Sequence, residues 1–373
     1  MSYSKQYIRR FLFRLLKRNK IIFYVYEWIK WHKEIEYQKK TNSPLNLKSQ
    51  EIIKREETII RKYWHIGTFH YYRYGLQYKN LSEEQLLDYV PTYYFHKNIE
   101  KHHRGIDTIK FGDKLVQAKL FYERQISTAE TLAVIKESCC YEFTSNKIIS
   151  LWDLIIEQLN CNDNKLFFKP TGNCGGKGIK VLKWINGIYY LDEKPVKTLE
   201  DILFNLEKNN VYIIQNKIIQ SKQLNDINDS CVNTIRVIVC KENDNMVIKS
   251  CILRMGRLGK EVDNSAQGGI SIGVDCETGV FSDHAIAEHG ADIFYKHPDS
   301  GYEFRNQSIE QWHIVKEQIK GIACKLIDFN DIALDIAITN ENVKLVEFNF
   351  RYGIEHQQCV LGGMRRVLNI PNI

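Results

Sequence analysis

The chain has 373 residues, 44% of them hydrophobic and 26% charged, with only 6 prolines. That is enough for two or three structural units, and the balance excludes a disordered or Pro-rich linker protein. The formal charge of +7 is unevenly placed: residues 1–33 hold nine Lys or Arg against one acid, Glu27, a net +8 that leaves −1 for the remainder. The body is therefore not a broad polyanion-binding surface, which argues against nucleic acid as a partner.

The basic N-terminus interleaves its cations with Phe11, Leu12, Leu15, Leu16, Ile21, Ile22, Phe23, Val25, Trp28 and Ile29. These apolar stretches are too short and too charged to span a bilayer, and no apolar run leads to a signal-cleavage site. Two readings stay open for residues 1–33: an amphipathic helix lying on an anionic cytoplasmic leaflet, or a helix packed on its own domain with Lys and Arg in water. Ten cysteines without a CxxC or a Cys/His zinc spacing imply reduced thiols and a cytoplasmic protein, peripheral on the inner membrane face if the first reading holds. The oligomeric state is not legible.

Residues 1 to about 105 read mainly as helix. Ser82 and Gln85 form a capping-box signature, and the helix they start is expected to end near Val90, before Pro91. From about 106 the texture changes. A helix is expected over Asp113–Ile126, then strands at Leu166–Lys169 and Ile179–Lys183 around a glycine loop. Further strands are expected at Val211–Gln215, Thr234–Cys240 and Met246–Arg254. A Gly- and Asp/Asn-rich loop covers Gly256–Gly273, a helix Ser308–Leu326, and a hairpin Ala333–Phe350. Strands and helices mix without βαβ alternation, so the expected class is α+β, with residues 1–105 as a helical region and 106–373 as the main domain.

The hairpin carries the strongest chemistry. Asp335 lies on the face opposite Leu334, Ile336 and Ile338, while Glu347 and Asn349 are two apart and share a face. If Thr339 faces Val343 across the turn, regular pairing sets Asp335 opposite Glu347. Two facing carboxylates repel unless cations sit between them, and two acids with an amide suit Mg²⁺.

The segment Phe167-Phe168-Lys169-Pro170-Thr171-Gly172-Asn173-Cys174-Gly175-Gly176-Lys177-Gly178 puts four glycines in seven residues. Such backbone approaches phosphate oxygens closely, and Lys169 and Lys177 add charge. It is not a Walker A loop, because Gly178 follows Lys177 where Ser or Thr is required.

In this order along the chain, Asp113-Lys114, Lys169 with its glycine loop, Ile213-Ile214-Gln215, Asp335 and Glu347-Phe348-Asn349 resemble the ATP-grasp superfamily. The resemblance implies two α+β lobes around the nucleotide, Lys114 and Lys169 on the ATP phosphates, Gln215 at adenine, and Asp335, Glu347 and Asn349 on two Mg²⁺ ions. Lys119 lies close enough to compete with Lys114 for its role. Gln215-Asn216-Lys217-Ile218-Ile219-Gln220, Val232-Asn233-Thr234-Ile235-Arg236-Val237, Leu253-Arg254-Met255-Gly256-Arg257, Val262-Asp263-Asn264 and Gly268-Gly269 resemble a narrower branch, the sugar-transfer-associated ATP-grasp proteins. D-alanine ligase-like enzymes carry Arg two positions before the metal Asp. Ala333 stands there in this chain, which turns attention to Arg236, Arg254 and Arg257 as catalytic or carboxylate-binding cations. Asn233, Asp263, Asn264, Gly268, Gly269, Arg351 and His356 are substrate candidates.

The activity implied by the resemblance is an amide-forming carboxylate–amine ligation through an acyl phosphate, with release of ADP, on a cell-envelope or capsular polysaccharide or its sugar precursor. Its partners would be a carboxylate substrate and an amine co-substrate. A phosphotransferase to a sugar hydroxyl and a non-catalytic ATP-binding glycan-assembly protein are the alternatives.

Overall fold

The computed structural model of the protein describes residues 19–41, 47–159, 165–172, 177–207, 210–261, 263, 268–287, 292–350 and 352–371. The N-terminal part is helical: α1 (Lys20–Thr41), α2 (Gln50–Trp64), α3 (Phe69–Arg73), α4 (Glu83–Leu87) and α5 (Thr92–His102). Ser49 caps α2 by accepting the Ile52 N–H at 3.3 Å. The Ser82/Gln85 capping box starts α4 as expected, but the helix stops at Leu87 rather than near Val90. Tertiary partners take the backbone there. The Gln358 side-chain oxygen accepts the Val90 N–H at 2.7 Å, and its amide donates back to the Val90 carbonyl at 3.0 Å.

These helices do not fold as an isolated bundle. Trp64, Tyr71, Leu76, Val90 and Phe95 share one hydrophobic core with Ile238, Ala333, Tyr352, Ile354 and Met364 from the C-terminal half. Burial of that surface is the main force joining the two parts of the chain.

Two antiparallel sheets follow α6 (Lys114–Glu123). The first is built from β1 (Thr131–Lys136), β2 (Cys139–Glu142), β3 (Lys165–Pro170), β4 (Lys180–Ile185), β5 (Ile188–Leu191), β6 (Lys194–Val196) and β7 (Tyr212–Asn216), in the order β2-β1-β7-β3-β4-β5-β6. Helices α7 (Leu151–Leu159) and α8 (Leu199–Asn205) cover one face. After α9 (Lys222–Ile227) comes the second sheet: β8 (Thr234–Glu242), β9 (Asn245–Met255), β10 (Ile270–Val274), β11 (Phe281–Ala287), β12 (Ile293–Phe294), β13 (Ile332–Ile338) and β14 (Val343–Asn349). Its order is β12-β11-β10-β9-β8-β13-β14. Helix α10 (Trp312–Cys324) packs on it, and α11 (Glu355–Leu361) follows the last strand.

The α+β class is as expected. Strand β10 occupies the end of what the sequence suggested was a loop to Gly273, and the short pairs β1/β2, β5/β6 and β11/β12 were not anticipated.

The β13–β14 hairpin corrects the sequence argument while keeping its result. Ile338, not Thr339, faces Val343, and the Thr339 N–H closes the turn on the Asn342 carbonyl at 2.9 Å. Regular pairing from that turn would misalign the acids by one residue. A bulge at Val346 restores the count, and Asp335 does pair with Glu347. The bulge was legible in Val343-Lys344-Leu345-Val346-Glu347-Phe348-Asn349, where apolar alternation slips at Leu345-Val346. It sets Val346 beside Glu347 and Asn349 on the cavity side, while Leu345 and Phe348 stay in the core.

Candidate active site

Between the two sheets lies a cavity of about 310 Å³, within the range of roughly 300–1,000 Å³ usual for small-molecule sites. One end is apolar, walled by Phe167, Ile179, Ile213, Ile218, Val232 and Val346. The other end is charged. Lys114, Lys169, Arg236 and Arg254 gather there with Asp263, Asp335 and Glu347, while Glu261 lies beside Phe167, Ile218 and Val232. A flat base at the first end and phosphates at the second would match this polarity.

Each charged group is placed by its element. Asp113 caps α6, accepting the Leu115 and Val116 N–H groups at 2.9 and 3.2 Å. This sets Lys114 at the first turn, where its own N–H donates to the Thr171 carbonyl at 3.0 Å. One turn on, Gln117 donates to the Phe348 carbonyl at 2.8 Å and accepts the Phe348 N–H at 3.2 Å. This amide pin fixes α6 against β14, so Lys114 Nζ stands 3.6 Å from Glu347. Lys119 is exposed on another face of the helix. The pin thus resolves the choice between the two lysines, and Gln117 itself escaped the sequence reading, because a buried Gln on a helix has no spacing signature.

Lys169 reaches the cavity from β3 with no ion pair within 4 Å among the described residues. Burial and the neighbouring Lys114 lower its pKa to about 8, against the opposing pull of Glu347.

Asp335 is buried and held by two arginines. Arg236, directly opposite it on β8, donates Nε–H to one oxygen and Nη2–H to the other at 2.9 Å. Arg254 of β9 adds contacts of 3.3 Å and donates to Asp263 at 2.7 Å. Burial alone would raise the Asp335 pKa; the two guanidinium groups outweigh it and hold it below the ordinary value. Arg236 and Arg254 thus bring two positive charges to the cavity beside Asp335, whereas Ala333 is buried in the core shared with the N-terminal helices.

Glu347 accepts from the Asn349 amide at 3.1 Å. Among the described residues no group of three His, Cys, Asp or Glu side chains could hold a metal ion alone. Asp335, Glu347 and Asn349 offer oxygen donors from two acids and one amide, and leave the rest of an octahedron to phosphate or water. That is the donor set Mg²⁺ prefers.

Gln215 lines the apolar end, buried, with its amide donating to the Thr131 hydroxyl at 2.9 Å. Asp263 accepts the Thr234 N–H at 3.0 Å and lines the cavity.

Other sequence candidates lie elsewhere. Asn233 is wholly buried and committed to structure: its amide donates to the Leu224 and Asn228 carbonyls at 2.9 and 2.8 Å, and its oxygen accepts the Gly256 N–H at 3.1 Å. A substrate cannot reach it. Replacing Asn233 by Ala should cost about 2–3 kcal/mol by orphaning these groups, seen as a lower urea midpoint with nucleotide affinity unchanged. Arg257 turns away from the cavity to grip Asp299 through two bonds of 2.7 and 2.9 Å. Lys177 is exposed, and Gly172, Gly178, Gly268, Gly269 and His356 are not among the cavity-lining residues. Gly175, Gly176, Asn264 and Arg351 lie outside the described residues. Glu261 was missed: from the loop after β9 it reaches Lys165 of β3 at 3.1 Å and also pairs with Lys183 of β4. It thereby links the two sheets across the cavity edge.

Two antiparallel sheets closed on a cavity, with lysines from one side facing an acid hairpin on the other, define an ATP-grasp protein. The family model of sugar-transfer-associated ATP-grasp proteins matches residues 96–369, and the chain belongs to that family. No curated protein matches it. Among solved structures it is similar to N5-carboxyaminoimidazole ribonucleotide synthetase from Thermotoga maritima, at 11% identity and TM-score 0.34 over 70% of this chain and 50% of that one. It is also similar to D-alanine–D-alanine ligase from Helicobacter pylori, at 15% identity and TM-score 0.37 over 70% and 57%. The chain spans about half the length of these structures.

Proposed function

We propose that the protein binds ATP with Mg²⁺ in this cavity and joins a carboxylate to an amine. Bound Mg-ATP would supply the phosphoryl group that activates the carboxylate as an acyl phosphate, from which an amine displaces phosphate to leave an amide. Phe167, Ile179 and Val346 would enclose the base, with Gln215 accepting from its amino group. Lys114 and Lys169 would hold phosphate oxygens. Asp335, Glu347 and Asn349 would hold the metal ions. Arg236 and Arg254 would balance charge near the incoming carboxylate while keeping Asp335 aimed.

The observation that carries ligation over phosphotransfer is the state of the acids. Every carboxylate lining the described cavity (Asp335, Glu347, Asp263 and Glu261) already faces a Lys or Arg within 4 Å. None stands ready to deprotonate a hydroxyl acceptor. A carboxylate acceptor is already ionised at neutral pH and needs no base.

The family description supports a saccharide-linked substrate, and our reading is an amino acid or amino sugar joined to a carboxylate on an envelope or capsular glycan or its precursor. Purified protein screened with carboxylates against amines should release ADP only when both are present, with the amide found by mass spectrometry. A stable phosphorylated product formed from a hydroxyl compound without amine would replace ligation by phosphotransfer. Absence of ADP with every acceptor, together with unchanged glycan production by Asp335→Asn in cells, would leave a non-catalytic role.

A further inference from the structure

Helix α1 packs on the helical region through one side. Phe23 is buried against Tyr93 and His96, with ring centroids 5.7 and 6.3 Å away, and Glu27 turns inward to Arg73. On the far side Ile22, Val25 and Ile29 are exposed among the described residues. No described helix is long and apolar enough to cross a membrane. Along the flank between these sides, α1 meets α2 and α3 around a second cavity of about 400 Å³, which shares no lining residue with the first. Five aromatic side chains line it: Tyr24, Trp28 and His32 from α1, and Phe69 and Tyr72 from α3. Trp28 and His32 stack at 5.5 Å and 23°, and Tyr24 meets Phe69 edge-on at 6.2 Å. A Cβ at Gly67 would stand 2.3 Å from the Tyr24 ring, so this wall requires glycine beneath it.

The second cavity is acidic. Glu57 of α2 and Glu36 of α1 line it, and no Lys or Arg does. That contrasts with the segment it is built on, since residues 1–33 carry a net +8. Glu57 is partly buried and bonded by hydroxyls: Thr68 donates to it at 2.6 Å, and Tyr72 bonds it as well. Burial and the Glu57 charge push the Tyr72 phenol up to about 12, so it keeps its proton and donates. Hydroxyl donors satisfy a carboxylate without cancelling its charge. Arg61, one turn on along α2, offsets the field at the Tyr24 and Tyr72 phenols. It makes no ion pair with Glu57 within 4 Å among the described residues. The Nδ1–H of His32 donates to the Ile29 carbonyl at 2.8 Å, which leaves Nε2 an acceptor in the neutral ring.

Aromatic faces around a carboxylate that lacks an ion-pair partner select one class of ligand. Phosphates and carboxylates are repelled by both acids. A bare metal ion finds too few donors, since among the described residues no group of three His, Cys, Asp or Glu could hold one. A cation with carbon around its charge suits the whole wall: the charge is attracted by ring faces and by the carboxylate, and its weakly held water is readily shed. We propose that this second cavity binds the organic ammonium group of a small molecule, its charge toward Glu57 and its alkyl hydrogens against Trp28, Tyr24 and Tyr72. The site is separate from the nucleotide cavity, so it stands or falls apart from the ligation reading.

The test is calorimetric titration of the full-length protein with choline and with its uncharged isostere, in which a tert-butyl group replaces trimethylammonium. Choline should bind at one site, about tenfold more tightly than the isostere. Glu57→Gln and Trp28→Ala should each weaken choline about tenfold, with circular dichroism and Mg-ATP affinity unchanged. The amide oxygen in Glu57→Gln can still accept from Thr68, so the variant keeps its fold. Trp28→Phe retains an aromatic face. It should bind choline nearly as well as the parent while losing the tryptophan emission change that choline produces there. Saturating Mg-ATP should leave choline binding in place. Absence of saturable choline binding, equal binding of the isostere, or displacement of choline by Mg-ATP would overturn the inference. So would a choline affinity unmoved by Glu57→Gln or by Trp28→Ala.

Discussion

Asp335→Asn should lose both turnover and stability, whereas Glu347→Gln should lose turnover alone. The difference comes from burial and partners. The Asp335 side chain is 4% exposed and serves as Arg236's ion-pair partner, while Glu347 is 28% exposed and meets Lys114 at 3.6 Å. Neutralising Asp335 leaves a mostly buried guanidinium without its counter-charge, a change that costs about 3–5 kcal/mol in comparable sites. Arg254 is less affected, because Asp263 still accepts from it at 2.7 Å. Loss of the Glu347 charge removes a partly solvated contact worth no more than about 1 kcal/mol. In the proposed site both acids would hold the metal ions at the phosphates, so each variant should lower ADP release by about 10²–10³-fold, the scale of losing one preorganised electrostatic partner. Urea midpoints and ADP assays on the two variants separate these effects. Adding Arg236→Met to Asp335→Asn should recover most of the stability and none of the activity. ADP release by Asp335→Asn within tenfold of the parent would remove the metal role assigned to it.

The second large effect concerns Lys169. With a pKa of about 8, its amine is charged below that pH and increasingly neutral above it. Phosphate beside it favours the charged form, so nucleotide affinity should be level below pH 8. Above pH 8 affinity should weaken by up to about tenfold per unit, as binding has to recruit a proton. Lys169→Arg keeps its charge throughout and should flatten this profile. Lys169→Met should weaken nucleotide binding about 10- to 100-fold, the range for a charge-assisted contact. In the free protein, Lys169 should also be the lysine most readily modified by an amine reagent at pH 8, with Mg-ATP protecting it. Mass mapping of the modified lysines checks this. Labelling spread evenly over surface lysines, or a pH profile shared by Lys169→Arg, would count against a depressed Lys169.

Much of this site is legible in the sequence because local patterns encode it. Alternating strands place Asp335 on one face, the spacing of Glu347 and Asn349 keeps them together, and Asp113 marks a helix start that puts Lys114 in its first turn. The hairpin argument reached the right pairing through a turn set one residue off, compensated by the Val346 bulge. Turn register and bulges depend on small differences in local geometry, and here only the break in alternation at Leu345-Val346 hinted at the second.

Other residues were misjudged for a common reason. Asn233 and Arg257 lie in motifs near the cavity in sequence. Whether a polar side chain meets ligand or protein depends on what packs against it. Asn233 is consumed by carbonyls of the α9 turn and by the Gly256 N–H, and Arg257 by Asp299, 42 residues on.

By itself the sequence determined the α+β class, the acid hairpin, the lysine-bearing β3 and the basic, apolar character of residues 1–33. These follow from periodicity, capping and charge counts, which act over a few residues. The tertiary structure alone decided that Lys114 rather than Lys119 faces Glu347, that two arginines from separate strands grip Asp335, and that one side of α1 is left open. Each of those depends on contacts between segments tens to hundreds of residues apart, set by how the sheets and helices share their cores, and no local pattern encodes that arrangement.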